Sequence, residues 1–315
     1  MLDVRRMKVL REVAARGSFS AAAEALSFTQ SAISQQVAAL ERETGTKLVE
    51  RGPRGIRLTQ AGEVLVKHAD AVLARLSCAE EELQALAGLR GGRLSLSTFQ
   101  SAGATLVPRA IAAFHQRYPD VELALTQAEP DDATAMLRGG ELDLAIVYDF
   151  EGIPGGLDES LDKVHLIDDR YDLLVARDHP LADRARIRMA DLADERWINS
   201  TEGCGCRQAV LHACLQVGFE PNVAFENDEI LAVQALVANG MGVTLMPQLA
   251  LTSVHPGVAV RPLGRDAPIR HIYAARQRDA YRSPATTAML QLLVDMAEEF
   301  RPQVTPAGDE AAVAA

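Results

Sequence analysis

Between Gly62 and Gly88 no proline or glycine interrupts the chain, and Leu65, Ala69, Val72, Leu76, Ala79, Leu83 and Leu86 recur at spacings of four and three. An apolar period of about 3.5 residues held over roughly three heptads belongs to a helix whose stripe meets another helix. At ~1.5 Å per residue such a helix reaches roughly 40 Å, too long to fold back on a small N-terminal module. The stretch therefore divides the chain. A head is expected over residues 1–58, a linker helix that pairs subunits over 59–90, and a body over 91–300. The Pro/Ala-rich tail, 301–315, has the composition of disorder. Length agrees, since 315 residues exceed what one core organises.

Charge follows the same division. The chain carries −11, the wrong sign for a nucleic-acid binder taken whole. Yet residues 1–58 hold ten Lys/Arg against six acids, while the remainder holds 22 against 37. A polyanion would approach only the head. Aromatic residues, at 4%, are too few for a platform that stacks single-stranded bases. No apolar run approaches the ~18 residues of a membrane span, and the N-terminus lacks a secretory signal, so a cytoplasmic location without membrane contact is expected. Four cysteines do not make a disulfide framework in a chain of this size. P-loop, G-x-S-x-G and H-E-x-x-H patterns are absent, and no G-x-G-x-x-G follows a strand. Neither catalysis nor a cofactor is expected.

The head reads as three helices and a hairpin. Leu2, Val9, Leu10, Val13 and Ala14 give the first helix its apolar face, and Gly17 stops it. Ser18 or Ser20 caps a second, Ala21–Leu26, and Thr29 caps a third from Gln30 to about Glu43. Helix, tight turn, helix is the helix-turn-helix plan. With Ile33 at the origin of a helical wheel, Val37 falls at about 40° and Leu40 at about −20°, while Ser34, Ala38, Ser31, Arg42 and Gln35 span about 100° to 200°. That outer face is small and polar. Serine and glutamine donate to phosphates and read base edges. A solvated face of any helix would look the same, and the following hairpin tips the balance. Around Gly52-Pro53-Arg54-Gly55 it carries Arg51, Arg54 and Arg57, a wing suited to the phosphate backbone or minor groove.

These residues resemble a known family. FSAAAEALSFTQSAISQQVAALERETGTKLVERGPRGIRLTQAGEVLV is similar to the winged helix-turn-helix of LysR-type transcriptional regulators. The T-Q-S-A-I-S-Q-Q-V helix start, A-L-E, G-T-K-L-V-E-R and L-T-Q-A-G match its pattern in order and spacing. Val49 departs from the usual Phe, which affects packing behind the wing. The resemblance implies that Gln30, Ser31, Ser34, Gln35, Arg51 and Arg54 face double-stranded DNA. It also implies a homodimer through the linker helix and a tetramer above it.

In the body, helix, Pro, strand, helix, Gly and strand occur twice, offset by about 100 residues. Strands alternating with helices predict parallel sheets, and two copies predict two lobes. Lobe 1 is expected over about 91–163 and 267–300, and lobe 2 over about 164–266. L-V-P, F-x-x-x-Y-P, G-E-L-D-L-A-I and G-M-G-V-x-L-x-P resemble the periplasmic-binding-protein-like effector domain of the same family. The fold class expected is thus α+β multidomain: winged helix-turn-helix, long linker helix and a two-lobed α/β effector domain.

Ligands of open α/β sheets sit beyond the carboxyl ends of strands, against helix N-termini. That places Gln100, Ser101, Ala102, Tyr148 and Asp149 on one lobe, and Asn199, Ser200, Thr201, Gly203 and Asn227 on the other. Many such residues are only turns and caps; together they point to a small polar effector, with a carboxylate favoured. Cys204, Cys206 and Cys214, with His212, cluster at one helix start. They are read first as structure or pocket lining, next as a redox switch, and last as tetrahedral metal ligands. Two readings compete with an effector-controlled regulator: a regulator that senses through these thiols, and a small-molecule binding protein or enzyme whose head is an interaction module.

Overall fold

The computed structural model describes residues 2–52, 55–86, 92–153, 156–278, 280 and 282–300, without the side chains of 51, 74, 77, 78, 80–86 and 265. The tail expected to be disordered lies outside these residues, as do Arg54 and the side chains of Arg51, Leu83 and Leu86.

In the head, α1 (Val4–Arg16), α2 (Phe19–Ala25) and α3 (Gln30–Thr44) each begin at a side-chain cap. Asp3 accepts from the Arg5 N–H, Ser18 from Ala21 and Thr29 from Ala32. Each cap satisfies one of the amides a helix start leaves free. Leu10, Val13, Ile33, Val37 and Leu40 form the core between the helices. Strands β1 (Val49–Gly52) and β2 (Gly55–Leu58) pair antiparallel as the wing. The Ile56 N–H donates to the Gly17 carbonyl at 2.8 Å, which ties the wing to the end of α1.

Helix α4 (Gln60–Leu86) is continuous, and its stripe is shared. Leu65 and Ala69 are buried in the head's own core, whereas Val72 and Leu76 stand 38% and 45% exposed. The expectation that the whole stripe awaits a partner helix is corrected. The first two positions lean on α1, because three short helices do not close a core alone; the free seam starts at Val72.

The body begins with β3 (Gly92–Thr98), α5 (Gln100–Gly103), α6 (Leu106–Arg117), β4 (Val121–Gln127), α7 (Pro130–Arg138) and β5 (Leu144–Phe150). Strand β6 (Leu161–Ala176) follows, then β7 (Arg196–Asn199), α8 (Gly205–Gln216), β8 (Asn222–Glu226), α9 (Ile230–Ala238) and β9 (Thr244–Pro247). The chain returns through β10 (Val258–Pro262), β11 (Ile269–Gln277) and α10 (Pro284–Glu299). Strands β4, β3 and β5 run parallel, as do β7 and β8. The rest departs from the parallel expectation. The 16-residue β6 pairs antiparallel with β11 over its first part and with β9 and β10 over its second. One strand thus serves both lobes, and the sheet runs β10-β6-β11-β5-β3-β4 with β9 beside β6.

Candidate effector cleft and DNA face

On α3, Gln30, Ser31 and Gln35 are exposed and Ser34 is half-buried, opposite the stripe of Ile33, Val37 and Leu40. Ser31 and Thr29 share a hydrogen bond of 3.1 Å. Arg57 is exposed on β2. The Glu41 carboxylate accepts from the Leu48 N–H at 3.0 Å and from Lys47 Nζ at 2.7 Å. This removes one of the head's few acids from the outer face. Phe28, absent from the sequence-based set, is 59% exposed in the turn before α3. Its only sequence signal is a large apolar residue inside a turn.

Between the lobes lies a cleft of about 1100 Å³. Gln100, Ser101 and Tyr148 line it from the ends of β3 and β5, and Asn199, Ser200, Thr201, Gly203 and Asn227 from the ends of β7 and β8. Asp149 borders it too, beside Tyr148. Ala102 does not: it is fully buried in the lobe 1 core, because the single turn of α5 points it inward. Asn199 and Asn227 act first as local caps, accepting from the Ser200 N–H at 2.9 Å and the Glu229 N–H at 2.7 Å. Thr201 is held by Asp228. Gln100 Nε2 reaches across and donates to Glu229 Oε2 at 3.2 Å.

The floor was not legible in the sequence. Arg270 and Asp169, 3% exposed each, form an ion pair of 2.6 Å, and Arg270 also donates to Ser101 Oγ at 2.8 Å. Its guanidinium lies 4.6 Å and 5.0 Å from the ring centroids of Phe99 and Tyr148. Beside it the Tyr171 hydroxyl donates to Cys206 Sγ at 3.1 Å. The Tyr148 hydroxyl donates to Glu129 Oε2 at 2.7 Å and lies 3.5 Å from Cys206 and 4.0 Å from Cys204. A hydrogen bond from Cys204 outweighs burial and, with the Arg270 charge and the Tyr171 hydroxyl, brings the Cys206 thiol down to about 6. As donor in that bond, and half-buried, Cys204 is pushed up. Burial alone pushes Cys214 up to about 12.

The three cysteines therefore do not act together. Cys204 and Cys206 meet in the cleft, whereas Cys214 is in the core. Among the described residues no metal-ligating group includes a cysteine. The walls are acidic: Glu129, Asp131, Asp132, Glu202, Asp228 and Glu229 line the cleft, and Arg138 is taken by Asp158.

Comparison with known proteins adds an independent line. The model of a bacterial regulatory helix-turn-helix protein, lysR family, matches residues 4–63, and that of the LysR substrate binding domain matches residues 87–298. The chain is 32% identical over 304 residues to a probable HTH-type transcriptional regulator, LrrA, of Synechococcus elongatus, covering 95% of this chain and 99% of that one. It is 30% identical to a hydrogen peroxide-inducible genes activator of Dickeya chrysanthemi, covering 86% and 88%. Among solved structures, a full-length OxyR from Pseudomonas aeruginosa carrying one cysteine-to-aspartate substitution superposes with a TM-score of 0.72 at 27% identity, covering 95% of each chain.

Proposed function

The chain belongs to the LysR family of transcription regulators, DNA-binding proteins with an effector-binding domain, and from this premise we propose how its parts divide the work. Its partners are those of the family: double-stranded DNA, a small-molecule effector and further copies of itself. In our reading Gln30, Ser31, Ser34 and Gln35 enter the major groove, and the wing arginines Arg51 and Arg54 flank it on phosphate. Residues 59–90 join two subunits through the seam from Val72, and pairs of dimers form the tetramer. The protein turns nothing over and works in the cytoplasm; among the described residues no helix is long and apolar enough to cross a membrane.

The effector binds between Gln100, Ser101 and Tyr148 on one wall and Asn199, Thr201, Gly203 and Asn227 on the other. One observation carries this reading: Gln100 reaches Glu229 and Tyr148 reaches the thiols of the floor, and around these contacts the walls present hydrogen-bonding groups to an open space. The acidic lining weighs against the carboxylate first expected, since Arg270 is already neutralised by Asp169. A neutral or cationic polar molecule suits these walls better. A thermal-shift screen of amines, polyols and carboxylates on the full chain tests this, followed by DNA retardation with each hit. Stabilisation by carboxylates alone would overturn the chemistry assigned.

A second reading rests on the Cys206 sulfur, which holds its proton weakly beside Cys204. A peroxide is the oxidant in this case. The thiolate attacks one peroxide oxygen, the O–O bond breaks, and the leaving oxygen takes a proton, giving a sulfenic acid. The Cys204 sulfur then displaces water and forms a Cys204–Cys206 disulfide. Unchanged free-thiol counts and unchanged DNA affinity after mild peroxide would remove this reading.

A further inference from the structure

Behind the cleft floor, on the other face of the same two strands, His165, Asp168 and His271 converge. Asp168 Oδ1 lies 2.7 Å from His165 Nε2 and 2.8 Å from His271 Nδ1. The three ligand atoms all lie within 4.8 Å of one another. The chain needs an irregularity to achieve this. Residues three apart on a regular strand point to opposite faces, so His165 and Asp168 would be separated by the sheet. The β6–β11 register shifts between Ile272 and Tyr273: Asp168 faces His271, Ile167 faces Ile272, and His165 faces Tyr273, with Leu166 left over. The extra residue turns Leu166 and Ile167 both inward, 2% and 3% exposed, and brings His165 out beside Asp168. A bulge that re-aims one side chain toward two others is a built feature.

We propose that His165, Asp168 and His271 form a binding site for a divalent transition-metal ion of the zinc, cobalt or nickel kind, with its remaining positions open to water. Two imidazole nitrogens and one carboxylate oxygen are a borderline donor set that suits these ions; calcium and magnesium ask for oxygen throughout. Bond lengths near 2.0–2.2 Å require the carboxylate oxygen to part slightly from each nitrogen and the two exposed imidazoles to hold their nitrogens no more than roughly 4.2 Å apart. Each imidazole that faces Asp168 with an N–H gives up that proton on binding. A neutral ring moves it to the other nitrogen, and a protonated ring releases one to solvent. Asp149 on β5 stands opposite His271 in register and places a second carboxylate in the row.

The position gives such an ion a consequence. Asp168 and His271 are paired across β6 and β11, and the next pair, Asp169 and Arg270, is the cleft floor. An ion that ties His271 to His165 and Asp168 fixes these strands from behind, giving the effector domain a second input. This site does not depend on which molecule occupies the cleft.

Cobalt(II) titrated into the full-length protein is the probe. One ion per protomer is expected, with a visible ligand-field band and no near-ultraviolet thiolate charge-transfer band. His165→Ala and His271→Ala should each weaken binding by about 10-fold or more, and Cys206→Ser should leave it unchanged. Far-ultraviolet circular dichroism of each variant guards against misfolding, and zinc-induced thermal stabilisation should disappear with the histidines. Failure of the wild type to bind at millimolar cobalt, binding indifferent to both histidines, or a charge-transfer band lost in Cys206→Ser would each overturn the site.

Discussion

At the cleft floor the Cys206 sulfur receives the Tyr171 hydroxyl and lies near the Cys204 thiol and the Arg270 charge, and this sets its response to pH. Its pKa of about 6 in the folded chain stands below the ordinary 9.0, so the native state binds this proton more weakly than the unfolded one. The resulting stability is fully present above about pH 9 and is lost as pH falls through about 6. The urea midpoint of the wild type, relative to Cys206→Ser, is therefore expected to rise across that window. The thiolate ultraviolet absorbance should titrate near 6, and in Cys204→Ala should move toward 9, because the strongest of its donors is gone. A midpoint unmoved by Cys204→Ala would refute the assignment. The Cys-Gly-Cys pair was visible in the sequence as chemistry at a helix start; its cradle was not. Tyr171 reads as one more apolar strand residue, and Asp169 and Arg270 are 101 positions apart. Only the pairing of β6 with β11 brings them together.

At the scale of elements, the head was legible because its signals are local. Asp3, Ser18 and Thr29 cap within three residues of themselves, and the stripe on α3 needs only helical periodicity. How α4 divides its stripe depends on contacts from outside the helix, which spacing does not encode. The division is testable. Leu65→Ala should destabilise the head by about 2–5 kcal/mol, as for other buried leucines, with the dimer intact if the head still folds. Leu76→Glu should leave the head's unfolding unchanged and shift sedimentation toward monomer. Gly62 tests the junction itself: a Cβ there would sit 2.1 Å from the Leu48 carbonyl oxygen, where α4 starts against the wing. Gly62→Ala is expected to cost roughly 1–3 kcal/mol by forcing the two apart, read as a lower melting temperature and weaker DNA binding together. In the body, the repeated helix-strand series disclosed two lobes, but β6 did not disclose its double service. Sixteen residues of strand carry no mark where one partner gives way to the next.

For the whole molecule, the opposed charges of head and body make DNA binding a matter of a few positive side chains on an acidic protein. The four-charge surplus of residues 1–58 stands against fifteen net negative charges on the rest of the chain. Association must therefore be steep in salt, since each phosphate contact releases counterions and adds about 0.9 to the slope of log K against log salt. Roles within the head separate on this axis. If Arg54 holds phosphate, Arg54→Ala weakens binding to every sequence alike and lowers the slope by about one. If Gln35 reads a base edge, Gln35→Ala leaves the slope in place and relaxes preference at one position, by about 1–3 kcal/mol. Both are read by retardation of a duplex from upstream of the protein's own gene, at several salt concentrations, beside single-base variants of the same duplex. A changed preference with an unchanged slope in Arg54→Ala would exchange the two assignments. Unchanged behaviour in both variants would move recognition to other exposed residues of the head, such as Phe28 and Arg57.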